Sequence, residues 1–186
     1  ATDSPVLSDV NSQRESFNSY DLWANYFIGQ KWQLNVRMSF VDNYYSENDS
    51  ILYNVAGPGD LSLVLKHLVF NTKVTDSSKI AVRWLLGGGV KLPTGNYNKS
   101  NTVIPSSSVK GNVVYGSPYE ELDPHFQPGT GSLDFLAVSE FLIRYKGVGM
   151  ATNLSYRWNT ENNNQFRFAN RLNANTTAFY LYRFLK

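Results

Sequence analysis

Long stretches of this chain alternate between apolar and polar residues, and this alternation limits the possible folds more than any other feature. From Trp32 to Phe40, every even-numbered residue is apolar and every odd-numbered residue is polar. A period of two places successive side chains on opposite faces of a β-strand. Comparable patterns predict seven strands, over residues 17–28, 32–42, 59–71, 80–92, 133–145, 148–158 and 166–184.

Alternation alone fits two architectures. A soluble sandwich would bury the apolar face between two sheets, whereas a membrane barrel would turn it towards lipid and the polar face towards a wet lumen. Strand length distinguishes them: soluble strands usually have about 5–6 residues, whereas the predicted strands have about 11–19. Eleven residues reach about 36 Å, enough to span an apolar band of about 25 Å when tilted by about 45°. The sequence therefore predicts an all-β, antiparallel, up-and-down transmembrane β-barrel.

Composition agrees with a β-fold and excludes several function classes. Aromatic residues make up 15% of the chain and charged residues only 17%, a mixture that favours strands over helices. The chain has no cysteine, which excludes disulfides, thiolate metal sites and cysteine nucleophiles. A net charge of +2 is too balanced to indicate nucleic-acid binding. No run approaches about 18 apolar residues, so no transmembrane helix is expected.

The connections between the predicted strands alternate in length. Short ones lie at 29–31, 72–78 and 145–149, and long ones at 43–58, 93–130 and 159–165. Short periplasmic turns and long external loops are typical of outer-membrane barrels, and loop 93–130 is expected to restrict access to the lumen. Residues 1–15 are interpreted as a linker or loop remnant, and residues 16–186 as the barrel. Because single-chain bacterial barrels have an even number of strands, seven indicates an incomplete barrel, unless residues 5–12 form an eighth strand.

Four segments combine turn residues with strand boundaries: Gly57–Leu63, Gly87–Gly95, Pro128–Phe135 and Asn170–Asn173. In this order and spacing they resemble the outer-membrane barrel family named for the meta-pathway of phenol degradation, together with its transporter-type relatives. The resemblance covers about residues 20–186. It implies a Gram-negative outer-membrane barrel of about twelve strands, with further strands on both sides of this region, that takes up small, often hydrophobic compounds. It supplies no catalytic residue and no cofactor.

The polar faces of the predicted strands indicate a basic lumen. They carry the basic residues Arg37, Lys66, Arg83, Lys91, Arg144, Arg157, Arg167, Arg171 and Arg183. The acidic residues on these faces are Asp21, Asp60, Asp134 and Glu140. An excess of cations within a low-dielectric wall favours anions. The predicted function is passive passage of small solutes, including anionic or aromatic compounds, with Arg37, Arg83, Arg144 and Arg157 setting selectivity.

A second interpretation stays open. Pairs between arginines and carboxylates could fill the interior, and the barrel would then be a non-conducting structural subunit of a larger outer-membrane assembly. The expected partners are outer-membrane lipids, a small-molecule solute and other outer-membrane subunits, with no nucleic acid.

Little in the sequence indicates catalysis or metal binding. Glu120, Glu121 and Asp123 are weak candidates for a divalent cation, and no metal site is expected. Neither His67 nor His125 has a convincing catalytic partner in the sequence, so the prediction is a non-enzyme without a cofactor. The polar neighbours Lys66 and His67 would face opposite sides of one strand, which suggests a bulge or a pocket there.

Overall fold

The computed structural model of the protein describes residues 13–47, 50–72, 79–98 and 124–182. Within these ranges the chain forms one antiparallel sheet and contains no helix long and apolar enough to cross a lipid bilayer. The strands are β1 (Gln13–Ile28), β2 (Trp32–Glu47), β3 (Ser50–Pro58), β4 (Leu61–Asn71), β5 (Ile80–Leu92), β6 (Asp134–Tyr145), β7 (Val148–Trp158) and β8 (Arg171–Tyr180). The prediction of an all-β, antiparallel fold is confirmed.

The sheet is a sequential meander in the order β1-β2-β4-β5-β6-β7-β8, with β3 paired to β2 alone. It curls into a half-barrel, because Asp21 on β1 and Arg171 on β8 line the same cavity on its concave face. In the described ranges β1 and β8 do not pair with each other, so the sheet is open along both of these strands. We call the end with the connections at 29–31, 72–79 and 146–147 the turn end, and the opposite end the loop end.

Several strand boundaries differ from those predicted. Within the segment 43–58, which was expected to be a long connection, residues 43–47 are the end of β2 and residues 50–58 form β3, and their pairing prolongs the sheet at the loop end. The last strand begins at Arg171 rather than at residue 166, and β1 includes residues 13–15, which had been assigned to a linker. By contrast, β5 and β7 have the predicted bounds. The irregularity expected near Lys66 and His67 is a bulge between Leu68 and Phe70 in the β4–β5 pairing.

The two faces of the sheet differ in polarity, as the alternation predicts. Large apolar side chains project from the convex face of every strand of the meander, including Leu22, Phe40, Leu65, Trp84, Phe141, Leu154 and Leu172. Their exposure is high, at 67% for Leu22 and 69% for Leu172. No second sheet covers this face in the described residues, so they do not form the two-sheet sandwich that was the soluble alternative.

Burial in this protein is inverted. Among the described residues only Val55 and Leu85 are buried apolar side chains. The buried polar and charged residues are more numerous: Gln33, Asn43, Lys66, Lys91, Ser132, Asp134 and Asn159. A soluble domain normally buries large apolar residues and almost never buries Lys or Asp without a partner. The sheet therefore has its polar interior on the concave side and its apolar surface outside.

A glycine in β5 makes room for a charge pair across the concave face. Lys66 on β4 reaches over β5 to Glu140 on β6, with its Nζ 2.5 Å from Oε1 of Glu140. Gly87 lies opposite Lys66, and a Cβ atom at Gly87 would come within 2.7 Å of Cγ of Lys66. The absence of a side chain at Gly87 therefore leaves the space that the bulky side chain of Lys66 occupies.

We expect Gly87→Ala to destabilise the protein by about 1–3 kcal/mol, because the added methyl group collides with Lys66 and with the backbone of β4. Gly88→Ala is the matched control, since a Cβ atom there meets only the carbonyl oxygen of Leu136, at 3.6 Å. The measurement is the free energy of unfolding from urea titration. Equal stability of the two variants would contradict this account of Gly87.

Candidate functional site

The four segments that stood out in the sequence meet at the loop end of the concave face. Asp60 comes from the first segment, Lys91 from the second and Asp134 from the third. Arg171, from the fourth, lines the same cavity as Asp60 and Lys91. Segments that lie far apart in the sequence therefore build one site.

A buried lysine lies at the centre of this site. Nζ of Lys91 is 2.8 Å from Oδ2 of Asp60 and 2.7 Å from Oδ2 of Asp134, and it also donates to Oγ1 of Thr130. The side chains of Lys91 and Asp134 are only 3% and 1% exposed. We call Asp60, Lys91, Thr130 and Asp134 the Lys91 cluster. Burying three charges is tolerable only because each of them has close partners.

Asp60 ties the connections of the loop end together. Its Oδ1 accepts a hydrogen bond from the backbone N–H of Gly95 at 3.0 Å, and its Oδ2 accepts bonds from the backbone N–H and the hydroxyl of Thr130. The backbones of Gly95 and Gly129 are in contact, since a Cβ atom at Gly129 would lie 2.5 Å from the carbonyl carbon of Gly95. The two described ends of the long connection between β5 and β6 therefore close against each other.

The pKa of Asp60 reflects two opposing effects. Burial by itself would raise the pKa, but the hydrogen bonds from Lys91 and Thr130 and the positive charge of Lys91 hold it below its ordinary value. Asp60 is therefore a carboxylate at neutral pH, and its charge contributes to folding.

Asp134 connects the cluster to the segment before β8. Its Oδ1 accepts a hydrogen bond from the backbone N–H of Thr160 at 3.0 Å. The neighbouring Asn159 donates from its backbone N–H to Oδ1 of Asn170 and from its side chain to the carbonyl oxygen of Ala169. Asn170 immediately precedes Arg171, so this chain of hydrogen bonds fixes the start of β8.

A cavity of about 400 Å³ lies beside the Lys91 cluster on the concave face. Its basic lining residues other than Lys91 are Arg37, Arg157 and Arg171, and serine and asparagine side chains supply further polar atoms. A smaller cavity of about 190 Å³ shares Arg37 and Arg157 with it and extends to Lys66 and Glu140. Together these cavities form a trough from the loop end to the middle of the sheet, which is polar beside the Lys91 cluster and partly apolar further along, where Val64, Leu136 and Val138 line it.

The predicted lumen residues fall into two groups. Three cations lie within ion-pairing distance of carboxylates: Arg37 with Asp21 at 2.8 Å, Lys66 with Glu140, and Lys91 with both Asp60 and Asp134. Four arginines that line concave cavities, namely Arg83, Arg144, Arg157 and Arg171, have no carboxylate within 4.0 Å in the described part of the chain.

Two of these four arginines lie near the turn end. Arg83 on β5 and Arg144 on β6 line a cavity of about 380 Å³ with Leu142 and Phe179. Arg144 is opposite Ala81, so Arg83, two residues further along β5, is its diagonal neighbour. Arginines without carboxylate partners among the described residues therefore lie near both ends of the concave face.

Other predicted residues lie elsewhere. Arg167 is in the connection between β7 and β8, where it forms an isolated bridge with Glu161, and not on a lumen-facing strand. Arg183, Glu120, Glu121 and Asp123 lie outside the described residues. His67 packs against Trp32, with ring centroids 4.5 Å apart, and His125 packs against Phe166 and Phe168. The described ranges contain no group of three His, Asp or Glu residues arranged to hold a metal ion.

The alternation of the sequence places Asp60, Lys91 and Asp134 on the polar face, but it does not predict that they form one cluster. Thr130 was not among the predicted site residues. The available signal was their position, because each lies within a glycine-rich segment or directly beside one. Comparisons with protein-family models, with curated proteins and with solved structures found no match to this chain.

Replacing Lys91 should destabilise the protein strongly. Lys91→Met leaves two buried carboxylates without their cation, which should cost about 3–5 kcal/mol. The matched control is Lys79→Met, because Lys79 is exposed at the turn end. Urea unfolding followed by tryptophan fluorescence gives the free energies. If both variants lost the same small amount of stability, the cluster would not have the role described here.

The lowered pKa of Asp60 predicts acid sensitivity. A carboxylate with a depressed folded pKa contributes its stability above its unfolded pKa of about 3.9, and loses it as pH falls through the folded value. The thermal midpoint should therefore drop below about pH 4 more steeply in the wild-type protein than in Asp60→Asn. Parallel curves for the two proteins down to the lowest accessible pH would refute the prediction.

Proposed function

We propose that this chain forms part of an outer-membrane β-barrel through which small solutes, preferentially anions, pass passively. The observation that carries the proposal is the set of four concave-face arginines without carboxylate partners among the described residues. Cations that are not used for internal pairing raise the local concentration of anions in a polar passage.

Inverted burial supports a location in a membrane. An apolar convex surface of this extent would be unfavourable in water, where exposed apolar patches are normally small. Strands β4 to β7 have 11 to 13 residues, so at about 3.3 Å each they are long enough to span an outer membrane when tilted. Trp32, Tyr145 and Trp158 are exposed aromatic residues at strand ends, where an interfacial girdle would lie.

The open edges support a larger barrel. An unpaired strand in lipid would leave backbone N–H and C=O groups without partners, so β1 and β8 need neighbours there. The two strands run in the same direction, because six antiparallel pairings separate them. Closure with antiparallel pairing throughout therefore requires an odd number of additional strands. A second copy in the same orientation would give parallel junctions instead. A barrel of about twelve strands, as the family resemblance implies, would need about five more.

Planar-bilayer recording tests the function directly. The closed barrel that contains this chain should conduct with a preference for anions, and Arg144→Gln should reduce the ratio of anion to cation permeability by roughly half or more, because it removes a charge that has no carboxylate partner among the described residues. Arg167→Gln is the matched control, since Arg167 lies in a connection and not on a strand.

A closed barrel that does not conduct would favour the alternative function. If neither the closed barrel nor its variant lacking residues 99–123 conducts, the chain is better explained as a structural subunit of an outer-membrane assembly. That outcome would assign the internal ion pairs a purely stabilising role.

A further inference from the structure

Two arginines face each other directly on neighbouring strands of the concave surface. Arg157 on β7 and Arg171 on β8 are register partners, and both line the cavity beside the Lys91 cluster. Directly opposed residues of an antiparallel pair have Cβ atoms about 4.5–5.5 Å apart, and like charges in this position are destabilising. The sheet therefore holds an unfavourable pair where a neutral residue on either strand would relieve the repulsion.

No carboxylate in the described ranges compensates this pair by contact. Arg171 donates to the side-chain oxygen of Asn173, a neutral acceptor, and Arg157 is in no ion pair in these ranges. Two other cations of the trough, Arg37 and Lys66, each form an ion pair with a carboxylate. The two opposed guanidinium groups keep most of their donors available to a molecule in the cavity.

The geometry suits an oxyanion. Guanidinium groups are planar forks that bind carboxylates through two parallel hydrogen bonds, and two such side chains whose Cβ atoms are about 5 Å apart can bracket a single anionic group. Ser62 and Ser155 line the same cavity with hydroxyl groups. A volume of about 400 Å³ leaves room for a short organic chain beside the anionic group.

The charge balance indicates how much negative charge the site accepts. In the described residues, the cavity and the adjoining Lys91 cluster contain four cations, Arg37, Lys91, Arg157 and Arg171, and three carboxylates, Asp21, Asp60 and Asp134. One positive charge is left over. A monoanion neutralises this excess, whereas a dianion would reverse it.

We propose that Arg157 and Arg171 form a binding site for the carboxylate of a small monoanionic solute. The proposal rests on the proposed function, since it places a binding site for the solute inside the passage, near the loop end. It also assigns a role to the opposed arginines: the bound carboxylate supplies the negative charge that the sheet does not.

The test is direct binding of butyrate to the full chain in detergent, measured by saturation-transfer difference NMR. Butyrate should bind, the isosteric amide butyramide should not compete, and inorganic phosphate should compete more weakly than acetate. Arg171→Gln should weaken butyrate about tenfold, because a charge-assisted hydrogen-bond pair is lost. Lys79→Gln, which removes an exposed cation at the turn end that lines none of the three cavities, should leave binding unchanged.

Stability separates a binding role from a structural one. Without ligand, Arg171→Gln should not lower the thermal midpoint, because it relieves a like-charge contact. Arg171→Lys keeps the charge but loses the fork, so its affinity should lie between those of the wild type and the glutamine variant.

The proposal is overturned if butyrate binding is insensitive to Arg171→Gln, if Lys79→Gln weakens it equally, or if lost binding accompanies a lowered midpoint. Its failure is distinguishable from failure of the channel function. Butyrate binding without conductance in bilayers would retain the site and reject the channel, whereas anion-selective conductance without specific butyrate binding would do the reverse.

Discussion

The loop end of this half-barrel depends on one buried lysine between two buried aspartates. Lys91 is the penultimate residue of β5, Asp60 precedes β4 and Asp134 begins β6, so their contacts fix the ends of three neighbouring strands. The charges are costly to bury, but once one is buried the others are required, because a lone buried charge would cost far more. This interdependence explains how a site built from three distant segments can be well defined.

The position of Asp60 depends on a change of register beside it. Phe40 pairs with Pro58 and Arg37 pairs with Ser62, so one extra residue is accommodated between β3 and β4. The interruption lets Asp60 turn onto the concave face and accept hydrogen bonds from both ends of the connection between β5 and β6. A continuous strand would leave these N–H groups without this acceptor. The Lys91 cluster therefore depends on the register change that follows the pairing of β2 with β3.

The alternation of apolar and polar residues determines how much of the fold and of the candidate site could be predicted from the sequence. Period two specifies which face each side chain occupies, and it placed Lys66 and Glu140 on the same face. It does not specify distances across the sheet, so the pairing of these residues, 74 positions apart, could not be read from it. The glycine run indicated missing side chains, but only the structure shows Lys66 lying opposite Gly87.

The wrong boundaries have local causes. Phe166 and Phe168 continue the even-numbered apolar pattern of β8, yet hydrogen bonds of Asn162 hold residues 162–166 in a turn. Asparagine side chains readily replace backbone partners in this way. The segment 43–58 mixes asparagine, serine and aspartate with aromatic residues, a composition typical of a loop, although it pairs as β2 and β3.

Some charges of the concave face form ion pairs that stabilise the fold, and the others are available to the proposed passage. Every carboxylate found in an ion pair there serves a cation that bridges strands or connections: Arg37 across β1 and β2, Lys66 across β5, and Lys91 at the loop end. Among the described residues, the other concave-face arginines contact no carboxylate, and two of them oppose each other in register. A chain under selection for stability alone would gain by neutralising one member of that pair. Both Arg157 and Arg171 are explained if a bound solute supplies the negative charge that would offset their repulsion. The unfavourable contact is then a consequence of the function proposed for the concave face.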